Sequence, residues 1–197
     1  DIARLLRKGG YQTLTVASDA ASQRLRRTIS KGTIERHILA CAEQAAEHQF
    51  RVLKVYMMLG LPDENNDDID ELIRFSLELA KIHPIALGIA PFVAKRNTPM
   101  DGFDFAGIQT INRRLKYLER GLKKSKGRAT IRSTSAKWAW AEYMLAQGGF
   151  AAGLAVYDAV HSGGNFAAYK KSFAKLKPEQ QRPWFNKIMP LESLIKS

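Results

Sequence analysis

The feature that most constrains the fold is a near-continuous apolar run, VLKVYMML, from Val52 to Leu59. A run of this length and character is typical of a strand that is covered on both faces, as strands are in parallel sheets. Two further strand-length segments flank it, Thr13 to Ala17 and Ile85 to Pro91. Helical patterns separate the three segments at a spacing of about 35 residues, which is the rhythm of βα units with right-handed crossovers. The sequence therefore predicts an α/β fold with a parallel sheet.

Three strands cannot close a barrel, so we expect a partial (β/α) barrel over residues 1–100. Such a sheet would expose its edges and an apolar concave face. Either more strands lie upstream of this sequence or another chain covers the sheet. Self-association through an exposed sheet edge is also an expected outcome.

The character of the sequence changes beyond residue 100. A long basic helix is predicted from Phe105 to about Lys124, followed by a short strand at Ala129 to Arg132 and then by helices. We therefore expect two domains: residues 1–100 as the partial barrel, and residues 101–197 as a basic, mostly helical extension.

The net charge of +12 is concentrated in this second half. Residues 101–197 carry 17 Lys and Arg against 7 Asp and Glu, and the segment 113–137 holds ten basic residues and one acidic residue. This asymmetry indicates a nucleic acid or another polyanion as a partner. A solvated basic surface without a specific partner explains the same charges, so both interpretations stay open.

Composition excludes several other classes of protein. There is no apolar run of 18 residues and no signal-like start, so no membrane segment is expected. The lone Cys41 cannot form an internal disulfide. Together these features predict a soluble cytoplasmic protein. Because the sequence opens at Asp1 in the middle of a helical pattern, we interpret it as a piece of a longer protein whose N-terminal part is missing.

Few chemical motifs stand out. There is no phosphate loop, dinucleotide fingerprint or paired-cysteine zinc site. His37 and Cys41 share a helical spacing, but two ligands do not make a zinc site. The acidic run from Asp63 to Glu71 lacks the glycine and alternation of a calcium loop, and we expect it to cap a helix, with Asn66 or Asp67 as the capping residue. No catalytic residue is selected by these patterns.

The segment from Thr13 to Gly32 is more informative, because it joins a strand to a polar loop and then to a basic helix. Asp19 can accept hydrogen bonds from sugar hydroxyls or an ammonium group, Ser22 can donate to a carboxylate, and Lys31 or Arg27 can neutralise that carboxylate. Together these side chains suit a small zwitterion. Asp19 and Ser22 could equally well only cap the following helix, and spacing alone does not decide between the two.

Three motifs in order resemble the second half of the radical S-adenosylmethionine (SAM) barrel. TLTVASDAASQRLRRTISKG is similar to the family pattern APEAGSERLR...NKG, LKVYMMLGLPDEN to KLYFMIGLPxE, and IAPFVAKRNTP to SPFVPKxxTP. The resemblance covers about residues 5–100, and it is strongest to the class that often carries an upstream cobalamin-binding domain. Cobalamin is therefore kept as a candidate cofactor.

The resemblance also implies a set of SAM-binding residues. Asp19 would lie near the ribose and amino group of SAM, and Ser22 and Lys31 near its methionyl carboxylate. Two strand ends would line the adenine side, namely Gly60, Leu61 and Pro62 after the second strand and Pro91, Phe92 and Val93 after the third.

The family holds a [4Fe-4S] cluster with CxxxCxxC, whereas this chain has only Cys41. Three thiolates are needed, with SAM binding the fourth iron. The resemblance thus implies the C-terminal part of an enzyme that cleaves SAM to a 5′-deoxyadenosyl radical for hydrogen abstraction, with the cluster held by upstream residues and the piece alone inactive. The substrate is open, and nucleic acid is one candidate. The alternative is a noncatalytic nucleic-acid-binding module that uses the basic half.

Overall fold

The structure, a computed structural model, describes residues 2–176 of the chain. These residues form two compact units, one with the residues up to Phe92 and Ala106–Ala136, the other with Val93–Phe105 and the residues from Lys137 onward. In chain order the elements are α1 (Ile2–Lys8), β1 (Thr13–Asp19), α2 (Gln23–Thr28), α3 (Glu35–Glu47), β2 (Val52–Leu59), α4 (Asn66–Ile82), β3 (Ile85–Pro91), α5 (Ile108–Leu122), a 3-10 turn (Lys123–Ser125), β4 (Ala129–Ser133), α6 (Ala136–Gln147), α7 (Phe150–His161) and α8 (Phe166–Ala174).

The first unit is built on a four-stranded sheet of order β1-β2-β3-β4, and every neighbouring pair of strands is parallel. Helices connect successive strands: α2 and α3 lie between β1 and β2, α4 between β2 and β3, and α5 between β3 and β4. Sequential parallel strands joined by helical crossovers are the arrangement of a barrel wall. The predicted fold class, a partial (β/α) barrel followed by a mostly helical region, is confirmed.

One face of the sheet is buried under helices α3, α4 and α5. Along β2 the buried side chains alternate with less buried ones, and Leu53, Val55 and Leu59 are at most 1% exposed. The side chain of Tyr56 lies on the other face and is 46% exposed. The expectation that β2 is covered on both faces is therefore wrong for the described residues, because the apolar run includes Lys54 and Tyr56 at alternate positions and these can face water.

The N-cap of helix α4 lies one residue before the predicted caps. Asn65 is the N-cap: its side chain accepts a hydrogen bond from the backbone N–H of Asp68, and the Asp68 carboxylate accepts one from the backbone N–H of Asn65. This reciprocal pair satisfies two of the N–H groups that a helix start leaves open. The prediction of Asn66 or Asp67 as the capping residue is thus wrong, although helix capping by the acidic run is confirmed.

The second unit contains α6, α7 and α8. Phe173 is 1% exposed and packs with Ala152 and Ala155, and partly buried aromatic side chains surround this cluster. The ring centroid of Trp140 lies 5.8 Å from that of Phe173, at an interplanar angle of 87°. Phe173 is the large side chain of this buried cluster, and the small Ala152 and Ala155 on α7 leave room for it.

Candidate cofactor-binding site

The carboxyl ends of the four strands share one edge of the sheet. Leu59 at the end of β2 pairs with Pro91 at the end of β3, and Asp19 at the end of β1 pairs with Met57. In α/β barrels and sheets, this edge is where ligands bind. Most of the residues that the family resemblance singled out therefore lie at one edge of the first unit.

Asp19 and Lys31 form an ion pair at this edge. The Lys31 Nζ atom lies 2.5 Å from Asp19 Oδ2, and the two side chains are 31% and 34% exposed. The register of β1 shifts between Ala17 and Asp19, and Asp19 has a φ of 61°, in the left-handed region that aspartate tolerates better than most residues. The strand irregularity turns the carboxylate toward a lysine 12 positions further along the chain, which spacing alone did not reveal.

The Ser22 hydroxyl is already hydrogen-bonded inside the protein, so it is not free to contact a ligand directly. Its side chain is fully buried, accepts a hydrogen bond from the backbone N–H of Leu25 as the N-cap of α2, and donates one to Asp68 Oδ1 at 2.5 Å. A hydroxyl has one proton to donate. Contact between the Ser22 hydroxyl proton and a ligand carboxylate therefore requires that the bond to Asp68 breaks first.

Asp68 is a central residue that the sequence patterns did not single out. Besides the bonds to Ser22 and Asn65, its Oδ2 atom lies 2.6 Å from Arg24 Nη2, and its side chain is 3% exposed. Burial by itself would raise the pKa of Asp68, but the hydrogen bonds from Ser22, Asn65 and Arg24 outweigh it and lower the pKa below 3.8. Asp68 thus ties the loop after β1 to the start of α4.

A buried arginine supports the same loop. The Arg26 side chain is 1% exposed, and its guanidinium donates to Ser18 Oγ at 3.1 Å, to the carbonyl of Ala20 at 3.3 Å and to Gln23 Oε1 at 3.3 Å. Burial lowers the pKa of Arg26, and the nearby Glu35 carboxylate partly offsets this effect. The sequence placed Arg26 among the basic residues of α2, and only its burial distinguishes it from exposed Arg27.

The turn after β2 is fixed by glycine and by a buried glutamate. Gly60 has a φ of +87°, and a Cβ atom there would come within 2.9 Å of the Ala106 Cβ, so a larger residue is excluded on both counts. The backbone N–H of Gly60 donates to Glu64 Oε1 at 2.9 Å, and Arg114 Nη1 lies 2.8 Å from the same oxygen. Burial raises the pKa of Glu64, against the opposing effects of the Gly60 N–H and Arg114.

The remaining predicted residues lie beside this turn or follow β3. Leu61 is buried at 3% exposure, and Pro62 is half-buried. Pro91 ends β3, and the backbone N–H of Phe92 donates to the carbonyl of Leu59 at 2.7 Å, which carries the pairing of the two strands beyond their ends. Val93 belongs to the second compact unit.

This chain lacks the side chains for an iron-sulfur cluster. Its one cysteine, Cys41, lies on α3, and burial raises the pKa of its thiol. Among residues 2–176 no three His, Cys, Asp or Glu side chains are grouped so that they could hold a metal ion. A [4Fe-4S] cluster does not fit these residues, whereas a carboxylate paired with an ammonium at the sheet edge fits the ammonium and carboxylate of an amino acid.

Sequential parallel strands with polar and glycine turns at their carboxyl edge are the arrangement of a (β/α)-barrel wall, whose ligands bind at that edge. Residues 1–76 match the family model described as Radical SAM superfamily. This stretch, about two fifths of the chain, is therefore similar to the superfamily that the motifs predicted. The match extends from α1 into α4 and includes the Asp19–Lys31 pair and the Gly60 turn.

The chain is also similar to a protein of Methanocaldococcus jannaschii described as Uncharacterized protein MJ0966. The two are 33% identical over 125 residues, which is 63% of this chain and 27% of that protein. The chain thus spans about a quarter of the length of this curated relative. No helix in the described part of the chain has the length and apolar character needed to cross a membrane.

Proposed function

We propose that this chain forms part of the SAM-binding cradle of a radical SAM enzyme. The observation that carries the proposal is the Asp19–Lys31 pair at the carboxyl edge of the sheet, within the segment that matches the superfamily. A zwitterionic amino acid group can replace the internal pair: its ammonium meets the Asp19 carboxylate, and its carboxylate meets the Lys31 ammonium. SAM carries such a group, and the superfamily implies SAM as a substrate.

The other predicted residues have supporting roles in this proposal. Gly60, Leu61 and Pro62, together with Pro91 and Phe92, would line the adenine side, and Ser22 shapes the corner through its bond to Asp68. The role of Val93 stays a prediction of the family resemblance. A reduced [4Fe-4S] cluster would supply the electron that cleaves SAM and so starts hydrogen abstraction from a substrate, whereas the residues of this chain would only bind and orient SAM. The three cysteines for that cluster would come from residues outside this chain, and we expect this chain alone to be inactive.

Cobalamin, a cytoplasmic location and self-association through the edge strands β1 and β4 stay predictions.

A noncatalytic nucleic-acid-binding module gains no support from the basic segment, because some of its charges serve the fold. Arg114 pairs with Glu64, and Arg128 donates to the carbonyl of Ala80 at 2.6 Å. Nucleic acid is therefore retained only as a candidate substrate class.

The proposal predicts that Asp19→Asn weakens SAM binding by this chain about tenfold or more, because a charge-assisted hydrogen bond contributes roughly 1.5–3 kcal/mol. Lys31→Met should have a similar effect. Isothermal titration calorimetry with SAM measures both, and Asp158→Asn, an exposed acid in the second unit, is the matched control. The same titrations with 5′-methylthioadenosine, which lacks the amino acid group, should show no effect of either variant.

Two results would contradict the SAM-binding proposal. One is that the chain binds SAM no better than 5′-methylthioadenosine. The other is that Asp19→Asn changes SAM affinity no more than Asp158→Asn does, with both variants folded by circular dichroism.

A further inference from the structure

The sheet face opposite the helices carries two cationic side chains, Lys54 on β2 and Arg132 on β4, together with Tyr56. The strand register aligns Lys54 with Ala86 and Thr130, and Tyr56 with Gly88 and Arg132. Because side chains alternate along a strand, these residues share the face opposite Leu53 and Val55. The expected apolar open face is thus wrong: its centre is polar and basic.

Lys54 and Tyr56 form a fixed unit on this face. Lys54 Nζ donates to the Tyr56 hydroxyl oxygen at 2.6 Å and lies 4.4 Å from the centre of the ring. The Tyr56 ring lies over Gly88, where a Cβ atom would come within 2.7 Å of it. The absence of a side chain at Gly88 therefore lets the tyrosine lie against the sheet, and the tyrosine in turn holds the lysine in place.

Arg132 lies two strands away from Tyr56, with Gly88 between them. At the usual strand spacing this separates their Cα atoms by about 10 Å, a gap that the long side chains can close from both sides. Arg132 is exposed, and within residues 2–176 neither Arg132 nor Lys54 has an ion pair with a carboxylate.

Lys54, Tyr56 and Arg132 offer almost only hydrogen-bond donors. Lys54 keeps two N–H donors after its bond to Tyr56, the Tyr56 hydroxyl keeps its own proton to donate, and Arg132 offers a planar fork of N–H groups. No acidic side chain of β2, β3 or β4 occurs on this face. A donor-only set with two positive charges matches an oxyanion, since charged N–H and O–H donors bind carboxylate and phosphate oxygens most strongly.

We propose that Lys54, Tyr56 and Arg132 bind an anionic group, a carboxylate or a phosphate, of the substrate. This inference rests on the proposed radical SAM function, because it places the substrate on the sheet face that adjoins the SAM edge. The Asp19–Lys31 pair lies at the end of β1, and within residues 2–176 it has no hydrogen bond or ion pair with Lys54, Tyr56 or Arg132, so variants at the two sites remove different groups.

The test is a titration of the chain with inorganic phosphate and, in parallel, with acetate, at constant ionic strength and followed by amide NMR. We expect saturable shifts at Tyr56, Gly88 and Arg132. Lys54→Met and Arg132→Gln should each weaken binding about fivefold or more, whereas Arg132→Lys, which keeps the charge but not the planar fork, should weaken binding less than Arg132→Gln does. Tighter binding of phosphate than of acetate, or the reverse, identifies the anion.

Two further variants separate this site from general positive charge. Gly88→Ala retains every charge but displaces the Tyr56 ring, so it should weaken anion binding severalfold. Lys126→Met removes an exposed charge from the turn before β4 and should leave binding unchanged.

No saturable shifts at these three residues, or equal losses in Lys54→Met and Lys126→Met, would overturn the inference. SAM binding in the same samples distinguishes the two proposals. Loss of anion binding with intact SAM binding in Lys54→Met supports the substrate site. Anion binding by a chain that does not recognise SAM contradicts the proposed function but leaves the oxyanion site intact.

Discussion

Replacement of Asp68 by alanine is expected to lower the free energy of unfolding of the sheet unit by about 2–3 kcal/mol. The change removes one side of the capping box and leaves the buried Ser22 hydroxyl without its acceptor. It also removes the carboxylate from Arg24, but that side chain is 50% exposed, so the ion pair itself contributes little. Urea unfolding followed by far-ultraviolet circular dichroism measures the loss.

Asp67→Ala is the matched control for Asp68→Ala. Asp67 lies in the same helical turn and is exposed, so its loss should change stability only by the helix-dipole contribution, about 0.3–1 kcal/mol. Equal destabilisation by the two variants would show that the capping network has no special role.

Acid titration tests the same network. Because the folded pKa of Asp68 lies below 3.8, its stabilising contribution is present above pH 3.8 and is lost as the pH falls through the lowered folded pKa. The difference in unfolding free energy between the native sequence and Asp68→Asn should therefore stay constant at higher pH and shrink below 3.8. A difference that does not change with pH would contradict this assignment.

Replacement of Phe173 by alanine is expected to destabilise the helical unit by about 3–5 kcal/mol, the usual result of removing a large aromatic side chain from a core. Phe173 is 1% exposed and lies at the centre of the cluster with Ala152 and Ala155. Because Ala152 and Ala155 have only small side chains to fill the space, a cavity should remain. Thermal unfolding followed by tryptophan fluorescence reports on this unit, because Trp140 packs against Phe173.

Phe150→Ala is the matched control for Phe173→Ala. Phe150 is 85% exposed, so its truncation should change stability by less than about 0.5 kcal/mol. A large effect of Phe150→Ala together with a small effect of Phe173→Ala would contradict the described core.

The strands and most of the helices could be predicted from the sequence, because they follow from local patterns. The apolar run of β2 and the breaks at Gly60 and Pro84 locate strand and turn within one or two residues. The first residue of a helix follows less directly from the sequence than the helix itself does. Thr33 carries a good capping side chain, yet α3 begins after Ile34 with no side-chain cap, since the path of the chain into the sheet decides which residue takes the N-cap conformation.

The candidate site was predictable only in part. Motif similarity selected Asp19 and Lys31, and the structure brings their charged atoms together. Motif similarity did not reveal that the Ser22 hydroxyl donates its hydrogen bond to Asp68, 46 residues further on, or that Arg26 is buried under the same loop. Contacts between elements distant in sequence leave no local periodicity, so neither residue was distinguishable from its exposed neighbours.

The sequence by itself determined the alternation of strands and helices, because the periodicity of apolar side chains sets local structure. Only the tertiary structure decided which face of the sheet is open and that this face is basic. Lys54 and Tyr56 lie inside an apolar run and become a recognisable group only when the register adds Gly88 and Arg132 from the next two strands. Strand pairing is set by long-range packing, and for that reason the arrangement of these charges cannot be derived from the order of residues.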